Sequence, residues 1–166
     1  MAATIKIVEK NGAGGTQTDK TSGEIRFKQA DNATVDNNHR LVAADGSTCY
    51  SVEKWLRLKA ETAPSVDITN VRFYTDGANG FGTGIGLYAK AVASYSQPAQ
   101  PNSVAGYSNA FTFTSAAALS LGAGVQLANP ATGEFGDHAV LCMTIGSTAG
   151  PGLTAAETLT FSYDET

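Results

Sequence analysis

Apolar residues return at every second position in a series of short runs, the period of a β-strand with one covered face. In TIKIVE, Ile5 and Ile7 share one side and Lys6 takes the other; in GEIRFK, Ile25 and Phe27 oppose Arg26 and Lys28. EKWLRLKAE sets Leu56, Leu58 and Ala60 against Glu53, Trp55, Arg57, Lys59 and Glu61. Trp55 is thus the apolar member of an otherwise charged side, placed to cover an edge or to meet a partner. VDITNVRFYTD carries Val71 and Phe73 on one side with Ile68 and Tyr74 on the other, as a central or covered strand does. GIGLYAKAVAS, NAFTFTS, a weaker AALSLG, HAVLCMTIG and TLTFSYDE continue the series. Eight or nine short strands and no amphipathic helix of ten residues predict an all-β chain folded as a single-domain sandwich or barrel.

The connectors are polar and punctuated by Gly or Pro: 11–23, 29–40, 96–109 and 147–152. Residues 1–23 stand apart as a strand followed by a glycine-rich arm, with the sandwich domain spanning 24–166. Such an arm can dock on its own sheet or add to another chain. The run DGANGFGTGIGLY (76–88) holds five glycines in thirteen residues. Its spacing fails the dinucleotide fingerprint, since the fifth residue after Gly80 is Ile85 and after Gly82 is Leu87. No Gly-Lys-Ser/Thr is present for a phosphate loop, and no helix follows to bind an anion at its start. Asp76 and Asn79 are three apart rather than two, which does not suit a calcium loop. A hairpin between strands 67–75 and 84–93 is the expectation, with Asn79-Gly80 at its turn.

Composition narrows the field further. Charged residues make up 16% of the 166, well under the roughly 25% of an ordinary domain, and the net charge is −4. With no basic cluster there is no footprint for nucleic acid. No apolar run is long enough for a transmembrane helix. MAATIKIVEK lacks the basic and apolar segments of a secretory signal, so synthesis in a reducing cytoplasm is expected, with Cys49 and Cys142 as free thiols.

Candidate chemistry is sparse. His39 and His138 have no ligand-spaced neighbours, so no metal or cofactor is expected. Ser108 in GYSNA lies in a Pro/Ser/Asn loop rather than on a strand-to-helix elbow. Glu53, Glu61 and Asp67 read as charges on solvated strand faces. No catalytic residue is assigned.

Two stretches carry a family likeness. In KWLRL (54–58) followed by ITNVRFYTDG (68–77), and in the closing TLTFSYDET (158–166), the chain resembles small structural proteins of tailed bacteriophages. The likeness is to capsid decoration (cement) proteins built on a jelly-roll-like β-sandwich, and the opening TIKIVEKNGAGG fits the same pattern. The resemblance implies a non-enzymatic virion protein, made in the host bacterial cytoplasm, that binds the major capsid protein on the shell's outer surface as a homotrimer. On that reading Ile5, Ile7 and the arm meet the shell, while Trp55 and Tyr74 anchor subunits. The alternative is a carbohydrate- or receptor-binding module of a tail or head fibre, with Tyr95 and Tyr107 as stacking groups.

Overall fold

The computed structural model describes residues 3–43, 46–152 and 154–166. Eleven strands follow one another: β1 (Ile5–Asn11), β2 (Thr16–Asp19), β3 (Cys49–Tyr50), β4 (Lys54–Ala60), β5 (Ile68–Tyr74), β6 (Ile85–Val92), β7 (Ser108–Asn109), β8 (Leu119–Ser120), β9 (Val125–Leu127), β10 (Gly133–Ile145) and β11 (Thr160–Glu165). All pairings are antiparallel. The larger sheet runs β2-β1-β4-β10-β6-β7, with β3 added on β10; the smaller runs β11-β5-β8, with β9 also on β5. The chain is therefore an all-β sandwich of two sheets. It exceeds the expected strand count because β2, β3, β7 and β9 are too short to leave an alternating signature.

The predicted apolar positions meet between the sheets. Leu56, Leu58 and Ala60 from β4, Leu87 and Ala89 from β6, and Phe135, Ala139, Leu141 and Met143 from β10 face Val71 and Phe73 of β5. Ile68, expected on the opposite side of β5, joins them because the register shifts around Asn70, whose φ is +51°. Fully burying one such side chain contributes about 1.5–3 kcal/mol. Phe161 of β11 closes the layer edge-on to Phe73 at 5.4 Å. A bulge between Phe135 and Ala139 keeps both residues inward while β10 shifts register against β4. It turns on Gly136 at φ +71°, where an added Cβ would lie 3.0 Å from Val71 Cγ1 and 3.1 Å from the Leu121 carbonyl. No other residue type fits that backbone so closely packed.

The amino-terminal strand takes one of its two expected courses and docks on its own sheet: β1 lies inside the larger sheet, and the glycine-rich stretch after it is a hairpin turn into β2. Other expectations change. Residues 67–75 and 84–93 do not form a hairpin. β5 belongs to the smaller sheet and β6 to the larger, so the glycine-rich run is a crossover between layers. Phe81 pins it to the core, edge-on to Phe111 at 5.9 Å, and Asn79 folds its own turn by accepting from the Phe81 N–H at 3.1 Å. Gly84 is needed for close approach, because a Cβ there would come within 2.6 Å of the Ala149 nitrogen. GEIRFK directs Ile25 and Phe27 onto the core as its alternation predicts, yet residues 24–28 join no sheet. NAFTFTS becomes a single 3-10 turn, Ala110–Thr112, with Asn109 Oδ1 accepting from the Phe111 N–H at 3.0 Å.

Two long connectors act as straps. Residues 20–41 cross the inner face of the larger sheet beside β1, and residues 93–107 cross its outer face. The outer strap is tied by the Tyr95 hydroxyl donating to Gly12 C=O (2.6 Å) and by Glu53 N–H donating to Ala99 C=O (2.9 Å).

Candidate interaction surface

The four residues assigned to contacts fall on three different surfaces. Ile5 and Ile7 point from β1 into the sandwich and pack on its core, opposite Ala60 and Leu58. β1 is paired with β4 along Ile5–Lys10 and with β2 along Val8–Asn11, so most of its length is interior to the sheet. Trp55 does share its side of β4 with Arg57, but the outer strap covers it and leaves it 3% exposed. Its ring meets Tyr95 and His138 edge-on, each at 5.4 Å, and its indole N–H donates to Glu53 at 3.0 Å. That burial leaves Trp55 almost no surface for a partner. Tyr74, half-buried at the end of β5, is on the outer side of the smaller sheet.

The strap also absorbs the aromatic pair that a sugar site would need. Tyr95 is spent on Trp55 and Gly12, and burial with the nearby Asp31 charge pushes its hydroxyl up to about 12. The Tyr107 hydroxyl donates to Glu53, while Lys90 Nζ sits 4.0 Å over the Tyr107 ring centroid and bonds Glu53 at 3.1 Å. Glu53 is therefore buried rather than solvated. Burial alone would raise its carboxyl, but the donors Tyr107, Trp55 and Lys90 outweigh that and hold it below its ordinary value. Glu134 behaves likewise, with Lys10 at 3.0 Å and Arg57 at 3.2 Å. These carboxylates are held ionised and occupied by their own fold.

His138 sits under the same strap, with Nδ1 3.2 Å from Val92 C=O and Nε2 buried without a partner. Burial, then the Arg57 charge, lowers its pKa, so the ring is neutral. Ser108 pairs with core-facing Ala89, whereas His138 pairs with Val92 on the opposite face of β6, so the two hydroxyl and imidazole groups are not brought together. Among the described residues no three His, Cys, Asp or Glu side chains gather as metal ligands. Cys49 and Cys142 are both free.

A buried ionic cluster under the inner strap was not anticipated. Lys54 is 1% exposed and donates to Glu9 (2.8 Å) and to Asn32 C=O (2.7 Å). Lys20 donates to the carbonyls of Glu24 and Ala33, both at 2.8 Å, and lies 3.6 Å from Glu9. Lys28 donates to Thr34 C=O at 2.9 Å and Asp36 at 3.1 Å. Three ammonium groups thus tether a strap that has no ladder of its own. The sequence did carry a signal: Glu9 is in phase with Ile5 and Ile7, and Lys54 with Leu56 and Leu58.

Two surfaces remain open. On the smaller sheet two of the segments that carry the family likeness, ITNVRFYTDG and TLTFSYDET, become neighbouring strands, β5 and β11, while KWLRL lies in β4 of the larger sheet. Arg72 grips Asp164 through both terminal nitrogens (3.0 and 2.7 Å), and Asn70 Nδ2 donates to the same carboxylate at 2.9 Å. This links the N-x-R of one stretch to the Y-D-E of the other. At the start of β11, a cleft of about 500 Å³ opens into the sandwich between residues 24–28 and the segment from Thr154 to Phe161. Its floor is apolar, formed by Ile7, Leu56, Leu87 and Met143. No protein-family profile, curated protein or solved structure matches this chain.

Proposed function

We propose that this protein is a non-enzymatic structural component of a tailed-phage virion that binds the major capsid protein on the outer surface of the shell and stabilises it as a homotrimer. The observation that carries the reading is the pairing of β5 with β11. The ITNVRFYTDG part of one stretch and the closing TLTFSYDET are far apart in sequence, yet they share one sheet and one Arg72–Asp164–Asn70 link, while KWLRL lies in the larger sheet as β4. The physical setting agrees. A sandwich whose Lys and Arg side chains are largely engaged by its own carboxylates offers shape and backbone edges to a partner. Its low charge lets copies crowd on a lattice without strong repulsion. Specific contacts of this type bury about 1,600 Å² in total, and closed symmetry repeats each one.

The test is co-sedimentation of the purified protein with expanded and unexpanded heads, beside light scattering of the protein alone. Saturable binding to expanded heads by a species of three chains is the expected result. A monomer that stays in the supernatant with both kinds of head would refute the reading.

A further inference from the structure

The two sheets are unequal: six strands lie along the path of the larger and three along that of the smaller. The smaller sheet ends at β11, which among the described residues pairs only with β5. Residues 24–28 lie across the gap and lend Ile25 and Phe27 to the core, but they form no ladder with β11. The cleft of about 500 Å³ occupies the space between, a size that suits a few apolar side chains.

The edges of the molecule are treated differently. β7 is two residues long, and β2 is four polar residues braced by Lys6–Asp19 and by Gln17 on Glu134. β11 is six residues, TFSYDE, with neither Lys nor Pro to discourage pairing. One of its two acids, Asp164, is turned away to Arg72 and Asn70. An open row of backbone donors and acceptors is satisfied by extended backbone, which an apolar small molecule cannot supply.

We propose that β11 and the adjoining cleft form a docking groove for an extended segment of a partner protein, which adds to the β11 edge as a further strand and drops alternate apolar side chains onto Ile7, Leu56 and Met143. The inference rests on the shell-binding reading, and the segment then belongs to the capsid's major protein. The length of β11 admits about six residues, roughly 20 Å of strand, of which about three face inward. The segment is uncharged at the inward positions, because the floor there is apolar.

The probes are peptides Ac-(Thr-X)3-Thr-NH2 with X as Val, Ile, Leu or Phe, each also made N-methylated on the Thr positions or on the X positions. They are titrated into the full chain, with amide hydrogen exchange read residue by residue. At least one unmethylated peptide should bind with Kd below about 1 mM and slow exchange in 160–165 at least tenfold. One methylated series should lose at least tenfold in affinity and the other should not. Ala156→Trp, an exposed position at the mouth, should abolish binding, and Ala117→Trp, exposed on the other side of the smaller sheet, should not. No binding, protection elsewhere, or equal tolerance of both methylated series would overturn the proposal. So would a self-association that Ala156→Trp blocks, which would make a second copy the occupant. Nuclear Overhauser contacts in the free protein from Leu153, which lies outside the described residues, to Leu56 and Met143 would overturn it too. If Ala156→Trp binds expanded heads as the wild type does, the shell reading stands and the groove falls. If peptides bind the groove but heads do not bind the protein, the groove stands and the shell reading falls.

Discussion

Replacing Glu9 by Leu removes the one carboxylate that faces two buried ammonium groups, Lys54 at 2.8 Å and Lys20 at 3.6 Å. At an effective dielectric of about 20, the Glu9–Lys54 attraction alone is roughly 6 kcal/mol before desolvation is counted. Desolvation is large, for burial lowers the pKa of Lys54 despite the opposing pull of Glu9. The pair is therefore worth little net, but half of it is costly. Glu9→Leu leaves Lys54 and Lys20 with carbonyl oxygens only and should destabilise by about 3–5 kcal/mol. For a chain of this length that lowers Tm by about 6–20 °C. Lys54→Met leaves Glu9 with Lys20 and should cost less, about 1.5–3 kcal/mol. The double replacement should cost at least about 1 kcal/mol less than the two singles added, because it strands no charge of the pair. Urea denaturation followed by far-UV circular dichroism measures all three. A Glu9→Leu cost under about 1 kcal/mol, or strict additivity in the double variant, would refute the reasoning.

Three further outcomes follow from the same packing. His138 has a folded pKa below its ordinary 6.5, so stability is complete above pH 6.5 and falls as pH drops towards the folded value. Urea midpoints at pH 7.5 and 5.5 should therefore differ in the wild type and converge in His138→Phe; a flat wild-type profile would count against a neutral buried ring. Gly136→Ala should cost at least about 1 kcal/mol more than Gly12→Ala. Both positions have φ near +70°, but only Gly136 has neighbours at 3.0 Å, so equal costs would mean the bulge relaxes. Trp55, the single tryptophan, should emit in the blue and resist acrylamide quenching, and Trp55→Ala should cost about 3–5 kcal/mol with no change in oligomeric state. Loss of oligomers at unchanged stability would make Trp55 a subunit anchor after all.

Alternation and apolar runs located β1, β4, β5, β6, β10 and β11, because each buries at least one face on the core, and β10 both. Alternation assigned the inward sides of β1 and β4 by residue, but set Ile68 of β5 on the wrong side. It could not see β2 or β7, whose pairing uses backbone groups and leaves side chains in water. Nor could it separate a hairpin from a crossover at 76–84, since turn residues fix local direction and not which sheet the next strand joins. Trp55 shows the same limit: its side of the strand was legible, but its burial depends on a strap 38 or more residues further on. Nothing in the pattern announces the burial of Lys20 and Lys28, because ammonium groups ordinarily face solvent. What buries them is a set of carbonyls on an irregular segment, and carbonyl positions leave no trace in residue identity. The cleft is likewise a gap between layers, visible only once sheet widths are known.

The placement of β10 between β4 and β6 bears on how the protein is made. Translation delivers residues 5–92 first, yet the strand that joins β4 to β6 is not complete until residue 145. Until then two separate edges wait beside the ribosome with their apolar sides uncovered, for a time set by elongation at about 5–20 residues per second. A nascent chain halted before residue 133 should bind chaperones and precipitate on release, whereas one extended past residue 145 should hold the larger sheet closed.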